Sequence, residues 1–114
     1  MALTHAQPLD VISIRPLAAR IPETKTHSLL KTDQMQLMRL VLVAGQTVPE
    51  HQVAGEITLL CLEGRVLVNT PGRQCRLGEG DLVVLPAHEP HALEAQTDSS
   101  LLATLLRHHD TQAV

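Results

Sequence analysis

The sequence predicts an all-β fold, an antiparallel sandwich or barrel of short strands. Turn-forming glycines and prolines recur at short intervals from Pro22 to Pro90, as they do between the strands of small all-β domains. The segments between them are short and rich in Val, Ile, Leu and Thr, which favour an extended backbone. Beyond Gly45, no run of ten residues without Gly or Pro has helical periodicity, so helix is expected to contribute little.

The elements follow in order along one predicted domain that spans residues 1–114. Residues 1–20 are expected to form an N-terminal arm, and the strand-like residues 10–14 are suited to pair with an edge strand of this chain or of a partner. Residues 17–20, "LAAR", allow one helical turn at most. Residues 35–43 are apolar on both faces towards their end, which indicates a buried strand or one at a subunit contact. Further strands are predicted at residues 57–62, 66–69, 82–85 and 101–106, and residues 108–114 are expected to be a flexible polar tail that carries His108 and His109.

Charge and composition exclude several kinds of partner. The chain has 9 Lys and Arg residues against 12 Asp and Glu residues, so it offers no basic stripe to a phosphate backbone. It contains no Phe, Tyr or Trp, so it has no aromatic ring to stack on bases or sugars. Nucleic acid is therefore not an expected partner.

No membrane segment and no secretory signal are recognisable. The longest apolar stretch, "LMRLVLVAG", contains Arg39 and is far shorter than the roughly 20 residues of a membrane-spanning helix. His5 and Asp10 lie where a secretory signal has an unbroken apolar segment. Cys61 and Cys75 lack the close spacing of a zinc or redox motif, and we interpret both as small buried thiols, leaving open a disulfide between strands. A cytoplasmic protein without membrane contacts is expected.

Two stretches carry the motif evidence. The first is "GQTVPEHQVAGEITLLCLEG", in which five residues separate Gly45 from His51 and the last residue is Gly64. The second is "GDLVVLPAHEPHALEA", in which five residues separate the opening glycine from Pro86, and His91 follows five positions later. This ordered pair resembles the two signature motifs of the cupin superfamily. The resemblance implies an antiparallel double-stranded β-helix, the jelly-roll barrel of that superfamily.

The resemblance also implies a metal site, of which this chain holds only a part. In cupins, the first motif supplies two histidines separated by one residue and then a glutamate, and the second motif supplies a third histidine. His51 matches the first of these histidines and His91 matches the last. Val53 occupies the position of the second histidine, and Ile57 occupies the position of the glutamate. The implied cofactor is one divalent transition metal, iron, manganese, zinc or nickel.

Two further residues are candidates to complete the metal site. Glu56 precedes the glutamate position by one residue, and neighbouring side chains of a strand point to opposite faces. A bulge at Gly55 would be needed to turn Glu56 inward. His88 lies just before His91, where the motif of the family has glycine, and its alternative interpretation is a turn residue that faces solvent.

Two functions remain open at this stage, a binding module and a metal-dependent enzyme. In the first, the barrel mouth holds a small, mostly apolar or acidic molecule without turnover, with a lining of His51, Val53, Ile57, Leu59, Cys61, Leu85 and His91. In the second, His51 and His91 hold a metal ion for oxygenase or isomerase chemistry. The absence of Tyr argues against the cupin sugar epimerases, which pair a histidine base with a tyrosine acid. A purely structural role is the third possibility, and a homodimer formed through the arm is expected.

Overall fold

The computed structural model describes residues 5–107, and the expectations for residues 108–114 lie outside that range. Within it, a short 3-10 helix at Ala18–Glu23 precedes nine strands. The strands are β1 His27–Lys31, β2 Met35–Leu42, β3 Thr47–His51, β4 Ile57–Glu63, β5 Val66–Thr70, β6 Arg73–Leu77, β7 Leu82–Leu85, β8 His91–Ala95 and β9 Ser99–Leu106. None of the helical segments in residues 5–107 has the length and apolar character needed to cross a membrane.

The strands form two facing antiparallel sheets. The larger sheet has the strand order β1-β2-β9-β4-β7, and the smaller has the order β3-β8-β5-β6. Strands that are consecutive in sequence repeatedly cross from one sheet to the other, as in a jelly roll. The prediction of an all-β, antiparallel jelly-roll barrel is therefore confirmed.

The apolar strands predicted from sequence are present with small changes at their ends. β7 has the predicted bounds, while β4 and β5 each extend one residue further and β9 begins two residues earlier. The single turn expected at residues 17–20 is part of the 3-10 helix. No strand was predicted at the positions of β1, β3, β6 and β8. The side chains of β3 and β6 are mostly exposed or half-buried, which explains why these two strands show no apolar pattern.

Alternation along each strand builds the core between the two sheets. Along β4, the side chains of Ile57, Leu59 and Cys61 are buried, while those of the intervening residues are only half-buried. They pack against inward residues of the other strands, including Val68, Leu93 and Leu101. With no aromatic residue in the chain, this core consists of aliphatic side chains and one thiol.

The segment before the 3-10 helix is fixed to the outside of the larger sheet by a buried ion pair. Nη2 of Arg39 lies 3.3 Å from a carboxylate oxygen of Glu63 and donates to the Arg15 carbonyl at 2.6 Å. The Glu63 carboxylate also accepts the backbone N–H groups of Leu17 and Ala18, at 2.8 and 2.9 Å, and the hydroxyl of Ser100. We call Arg39, Glu63 and Ser100 the Glu63 cluster.

The Glu63 cluster also shifts the acidity of its carboxyl group. Burial acts to raise the pKa of Glu63, but the donated hydrogen bonds and the Arg39 charge outweigh it and hold the pKa below its ordinary value of 4.5. The carboxylate is therefore the form that the fold stabilises.

Residues 10–14 of the arm do not form a strand in this chain. The backbone hydrogen bond from the arm to β1 comes earlier, from the Ala6 N–H to the Leu29 carbonyl at 2.9 Å. The expected pairing of residues 10–14 with an edge strand of the same chain is thus not made.

Candidate functional site: the barrel mouth

Two histidines from distant segments meet at one end of the barrel. His51 ends β3 and His91 begins β8, and these neighbouring antiparallel strands place the two residues opposite each other. Their ring centroids are 4.3 Å apart, with the planes inclined by 56°. The His91 side chain is buried, at 2% exposure, whereas His51 is exposed at the rim. A register shift between Val48 and His51 accompanies this placement, and such irregularities re-aim side chains at the rims of barrels.

Both rings are oriented by the backbone in the same way. Nδ1 of His51 lies 3.1 Å from the Pro49 carbonyl, and Nδ1 of His91 lies 2.9 Å from the Glu89 carbonyl. A carbonyl oxygen only accepts, so each Nδ1 carries the proton and donates it. In the neutral rings both Nε2 atoms then present lone pairs. Within residues 5–107, Nε2 of His91 makes no hydrogen bond. This atom is not fully buried, because in that range Nε of Arg39 is the only fully buried side-chain nitrogen or oxygen without a partner.

The opposite wall of the mouth is apolar with one amide. Cross-strand pairing aligns four residues in one row at the open end of the larger sheet: Gln36, Leu105, Ile57 and Leu85. Gln36 is on the inward side because Met38 and Leu40, two and four residues later, pack against the core. Its amide nitrogen donates to the Ser28 hydroxyl at 2.9 Å. Sequence reasoning missed Gln36, and only the register of β2 could have revealed it.

The other predicted lining residues lie at different depths. Ile57 and Leu85 are in the row at the mouth, and Val53 packs against the core from the loop after β3. Leu59 and Cys61 lie deeper and are fully enclosed, at 1% and 0% exposure. Burial raises the pKa of the Cys61 thiol, which keeps the thiol protonated and unreactive. Cys61 and Cys75 are both free thiols.

Glu56 and His88 are not gathered with the imidazole pair. Both are exposed, and Glu56 lies beside Gly55 and Arg107 at a surface cavity. His88 has a positive φ of 65°, and its N–H donates to the Val53 carbonyl at 2.8 Å, as expected of a turn residue. Among residues 5–107, no three His, Cys, Asp or Glu side chains are grouped so as to hold a metal ion.

The donor set therefore does not fit a protein metal centre. Structural zinc sites take four protein ligands and catalytic ones about three. The described residues bring two imidazole nitrogens to the mouth, and apolar side chains lie at both remaining positions of the implied site. The imidazole pair and the apolar lining can supply hydrogen bonds and apolar contacts to a bound molecule.

A cleft of about 340 Å³ lies between the free edges of β6 and β7. Cys75, Val83 and Leu85 supply its apolar side, and Thr70, Arg73 and Glu89 supply polar groups. Continuing the β5–β8 register by one residue places Thr70 next to His91. A volume of this size is within the usual range for small-molecule sites. Arg73 and Thr70 belong to the "TPG" hairpin, whose sequence signals only a turn.

Two facing antiparallel sheets with an oriented imidazole pair at one end define a small jelly-roll barrel protein. Residues 38–106 match the family model described as Cupin domain. The chain therefore belongs to the cupin superfamily, and the resemblance read from the two motifs is confirmed. A search among curated proteins finds no match.

Solved structures share the fold at low sequence identity. A cupin superfamily protein from Desulfitobacterium hafniense DCB-2 is 23% identical, with a TM-score of 0.75 over 90% of this chain and 100% of that chain. A conserved protein of unknown function from Streptococcus pyogenes is 19% identical, with a TM-score of 0.76 over 96% of this chain and 99% of that one. The DMSP lyase DddQ from Ruegeria pomeroyi DSS-3 is 25% identical, with a TM-score of 0.66 over 78% of this chain and 48% of that one.

Proposed function

We propose that this cupin domain binds a small, mostly apolar molecule in its barrel mouth without turnover. The observation that carries the proposal is the meeting of His51 and His91, with both Nδ1 atoms held by backbone carbonyls and no third metal-binding side chain beside them among residues 5–107. A ligand site usually has a mostly apolar lining with a few oriented polar groups.

The orientation of the rings limits the polar part of the ligand. In the neutral rings, the two Nε2 lone pairs accept hydrogen bonds, so a ligand with a hydroxyl or N–H donor suits them. An acidic ligand requires at least one ring to be protonated, or a contact with Arg73 at the β6–β7 cleft. The apolar part of the ligand would contact Val53, Ile57 and Leu85.

Native mass spectrometry of the untagged protein tests this proposal. A small organic molecule is expected to co-purify, to be lost in His91→Ala, and to be retained in His5→Ala, which removes an exposed imidazole of the arm. A folded protein that carries no organic molecule would contradict the proposal. So would near-stoichiometric metal in elemental analysis that disappears on His51→Ala or His91→Ala.

That last outcome would favour the second candidate, a metal-dependent enzyme of the oxygenase or isomerase type. Two observations favour it: the paired Nε2 lone pairs, and the structural similarity to the DMSP lyase DddQ from Ruegeria pomeroyi DSS-3. It requires one divalent metal ion, iron, manganese, zinc or nickel, with further ligands from outside the described side chains. Binding of a metal ion to the native state stabilises that state. A melting temperature that does not change when any of the four metals is added would therefore argue against this candidate.

We also propose that the protein is a cytoplasmic homodimer that acts without contacting nucleic acid or membranes. The support for this lies in the net charge of −3, the absence of Phe, Tyr and Trp, and the two free thiols, Cys61 and Cys75.

A further inference from the structure

The two sheets leave a gap between their last strands on one side of the barrel. β6 ends the smaller sheet and β7 ends the larger one, so neither has a strand neighbour on the side that faces the β6–β7 cleft. Cys75, Val83 and Leu85 give the cleft an apolar wall, and its volume of about 340 Å³ is at the low end of the range for ligand pockets. The cleft therefore suits a small molecule with an apolar part.

Arg73 lines this cleft from the first position of β6. Cys75, two residues later, packs against the core, and residues two apart on a strand share a side. Arg73 follows a tight hairpin turn that is fixed on both strands. The Thr70 hydroxyl donates to the Arg73 carbonyl at 2.9 Å, and the Gln74 amide donates to Oδ1 of Asn69 at 2.7 Å. The hairpin thus holds the backbone of Arg73, while its side chain is exposed.

Glu89 lines the same cleft from the loop before β8, and its side chain is half-buried. Its N–H donates to the Pro86 carbonyl at 3.2 Å. Its own carbonyl accepts the Nδ1 proton of His91 at 2.9 Å. Because both of these bonds use the backbone of Glu89, they fix its position without occupying its carboxylate.

The two charged groups of the cleft do not neutralise each other. Within residues 5–107, the ion pair is between Arg39 and Glu63. In the same range, neither the Arg73 nor the Glu89 side chain makes an ion pair or a hydrogen bond. A ligand with a single charge would be attracted by one of these two groups and repelled by the other. A ligand that carries both charges can make a charge-assisted hydrogen bond to each.

The register of the smaller sheet indicates how much space lies between these groups. Thr70 is opposite Arg73, and continuing the β5–β8 pairing by one residue places Thr70 opposite His91. Neighbouring strands are about 4.8 Å apart, so the backbones of Arg73 and His91 are roughly 10 Å apart. Glu89 precedes His91 by two residues. The two charged side chains thus reach the cleft from separate segments, and a molecule with two charged groups a few bonds apart can bridge them.

We propose that the β6–β7 cleft binds a small amino acid with an apolar side chain. Its carboxylate accepts hydrogen bonds from the Arg73 guanidinium, and its protonated amine donates to the Glu89 carboxylate. Its apolar side chain lies against Cys75, Val83 and Leu85. This site goes beyond the binding proposed for the barrel mouth, because it rests on Arg73 and Glu89 and not on the imidazole pair.

The surface cavity beside Glu56 does not offer the same chemistry. Its volume is about 420 Å³, and it also has one arginine, Arg107, in its lining. Nη1 of Arg107 donates to the Thr32 carbonyl at 3.1 Å, so this guanidinium already has a partner. The β6–β7 cleft is the better site for a molecule with two charges, since both of its charged groups are available.

Isothermal titration calorimetry of the full chain at neutral pH tests the proposal with matched probes. L-leucine carries both charges, 4-methylpentanoate lacks the amine, and 3-methylbutylamine lacks the carboxylate. Leucine is expected to bind in the millimolar range or more tightly. Each analogue should bind at least about tenfold more weakly, because it loses one charge-assisted hydrogen bond. Equal binding of all three probes, or no binding of leucine at millimolar concentration, would overturn the proposal.

Variants that remove one charge assign each contact. Arg73→Gln should weaken leucine binding about tenfold and remove the difference between leucine and 3-methylbutylamine. Glu89→Gln should weaken it similarly and remove the difference between leucine and 4-methylpentanoate. A general disturbance of the fold would instead weaken all three probes alike. Arg76→Gln and Glu79→Gln, at exposed positions outside the cleft lining, are the matched controls and should bind leucine as the wild type does.

His51→Ala separates this site from the barrel mouth. His51 is on β3, at the opposite edge of the smaller sheet from β6, so this variant should keep leucine binding while it weakens retention of a mouth ligand. Loss of leucine binding in His51→Ala would overturn the proposal, as would wild-type leucine binding in Arg73→Gln or Glu89→Gln. An empty mouth in native mass spectrometry with intact leucine binding would contradict the proposed function alone, so the two failures can be distinguished.

Discussion

His51 and His91 lie opposite each other on β3 and β8, with their ring centroids 4.3 Å apart and the ring planes inclined by 56°. Because Pro49 and Glu89 hold both Nδ1 protons, the same nitrogen of each ring remains free. The pair can accept two hydrogen bonds or donate two lone pairs to a metal ion. Which of these it does depends on whether a third ligand is available.

Restoring the missing ligands is expected to create a metal site. Val53 packs against the core, and Ile57 is 4% exposed in the row at the mouth, so Val53→His with Ile57→Glu adds an imidazole and a carboxylate near the pair. The apo variant should be less stable than the wild type, since it buries an unpaired carboxyl group. Zinc or nickel at a hundredfold excess over its dissociation constant should then stabilise it by about 2.7 kcal/mol, measured as a rise in melting temperature.

The wild type serves as the first control and is expected to show no response to the same metals. Adding His91→Ala to the double variant is the second control, and it should abolish the response. A metal-induced shift that survives the loss of His91 would mean that the new side chains bind metal elsewhere.

Gly64 is expected to be far more sensitive to substitution than Gly45. Both have a positive φ, +87° and +86°, but a Cβ at Gly64 would lie 2.2 Å from Oγ of Ser99, whereas nothing lies within 4 Å at Gly45. Gly45→Val should cost about 1–2 kcal/mol for the left-handed backbone alone. Gly64→Val adds a clash with the start of β9 and should cost more than about 3 kcal/mol. Urea unfolding of both variants measures the difference, and equal midpoints would contradict the expectation.

The sequence predicted the fold well because its strongest signals are local. Isolated apolar segments such as Leu82–Leu85 define strands by themselves, and the spacing of Gly45, His51, Gly64 and His91 is characteristic of the superfamily. The polar strands Thr47–His51 and Arg73–Leu77 carry no such pattern. They are strands because their neighbours β8 and β5 supply hydrogen bonds, a tertiary effect that propensity cannot report.

The site was predicted only in part, because some of its residues have local sequence signals and others depend on strand pairing. The motif spacing brought His51 and His91 together, but the amide of Gln36 and the Glu63 cluster depend on strand register. Glu63 faces Arg39 and Ser100 only because the β4–β9 pairing shifts between Cys61 and Glu63. Such an irregularity reverses the expected side of a strand residue and leaves no mark in the sequence.

Removing the charge of Glu63 is expected to destabilise the fold strongly. Glu63→Gln leaves Arg39, which is 4% exposed, without its counter-ion, and breaking a buried pair from one side typically costs about 3–5 kcal/mol. Glu50→Gln, at an exposed position of β3, is the matched control and should change little. Chemical unfolding at neutral pH provides the measurement, and a loss no larger than that of the control would contradict the role of the cluster.

The same carboxylate predicts how stability depends on pH. The folded pKa of Glu63 lies below its ordinary value of 4.5, so the charged group stabilises the fold at pH values above 4.5. That contribution is lost as the pH falls through the folded pKa. The difference in unfolding free energy between wild type and Glu63→Gln should therefore shrink on acidification below pH 4.5. A difference that stays constant through this range would show that the carboxylate is not the stabilising species.

Truncating the arm at two points is expected to separate its two roles. Deleting residues 1–14 removes Leu9 and Val11 but keeps the segment that hydrogen-bonds the Glu63 cluster. This chain should dimerise more weakly than the full chain, yet unfold at the same urea midpoint when both are diluted until they are monomeric. Deleting residues 1–20 also removes the Leu17 and Ala18 N–H groups, which leaves a buried carboxylate short of donors and should cost a further 1–3 kcal/mol or so. Light scattering and urea unfolding measure the two effects. Equal midpoints for both truncations would show that the cluster does not depend on the arm. An unchanged mass would show that the arm does not contribute to the proposed homodimer.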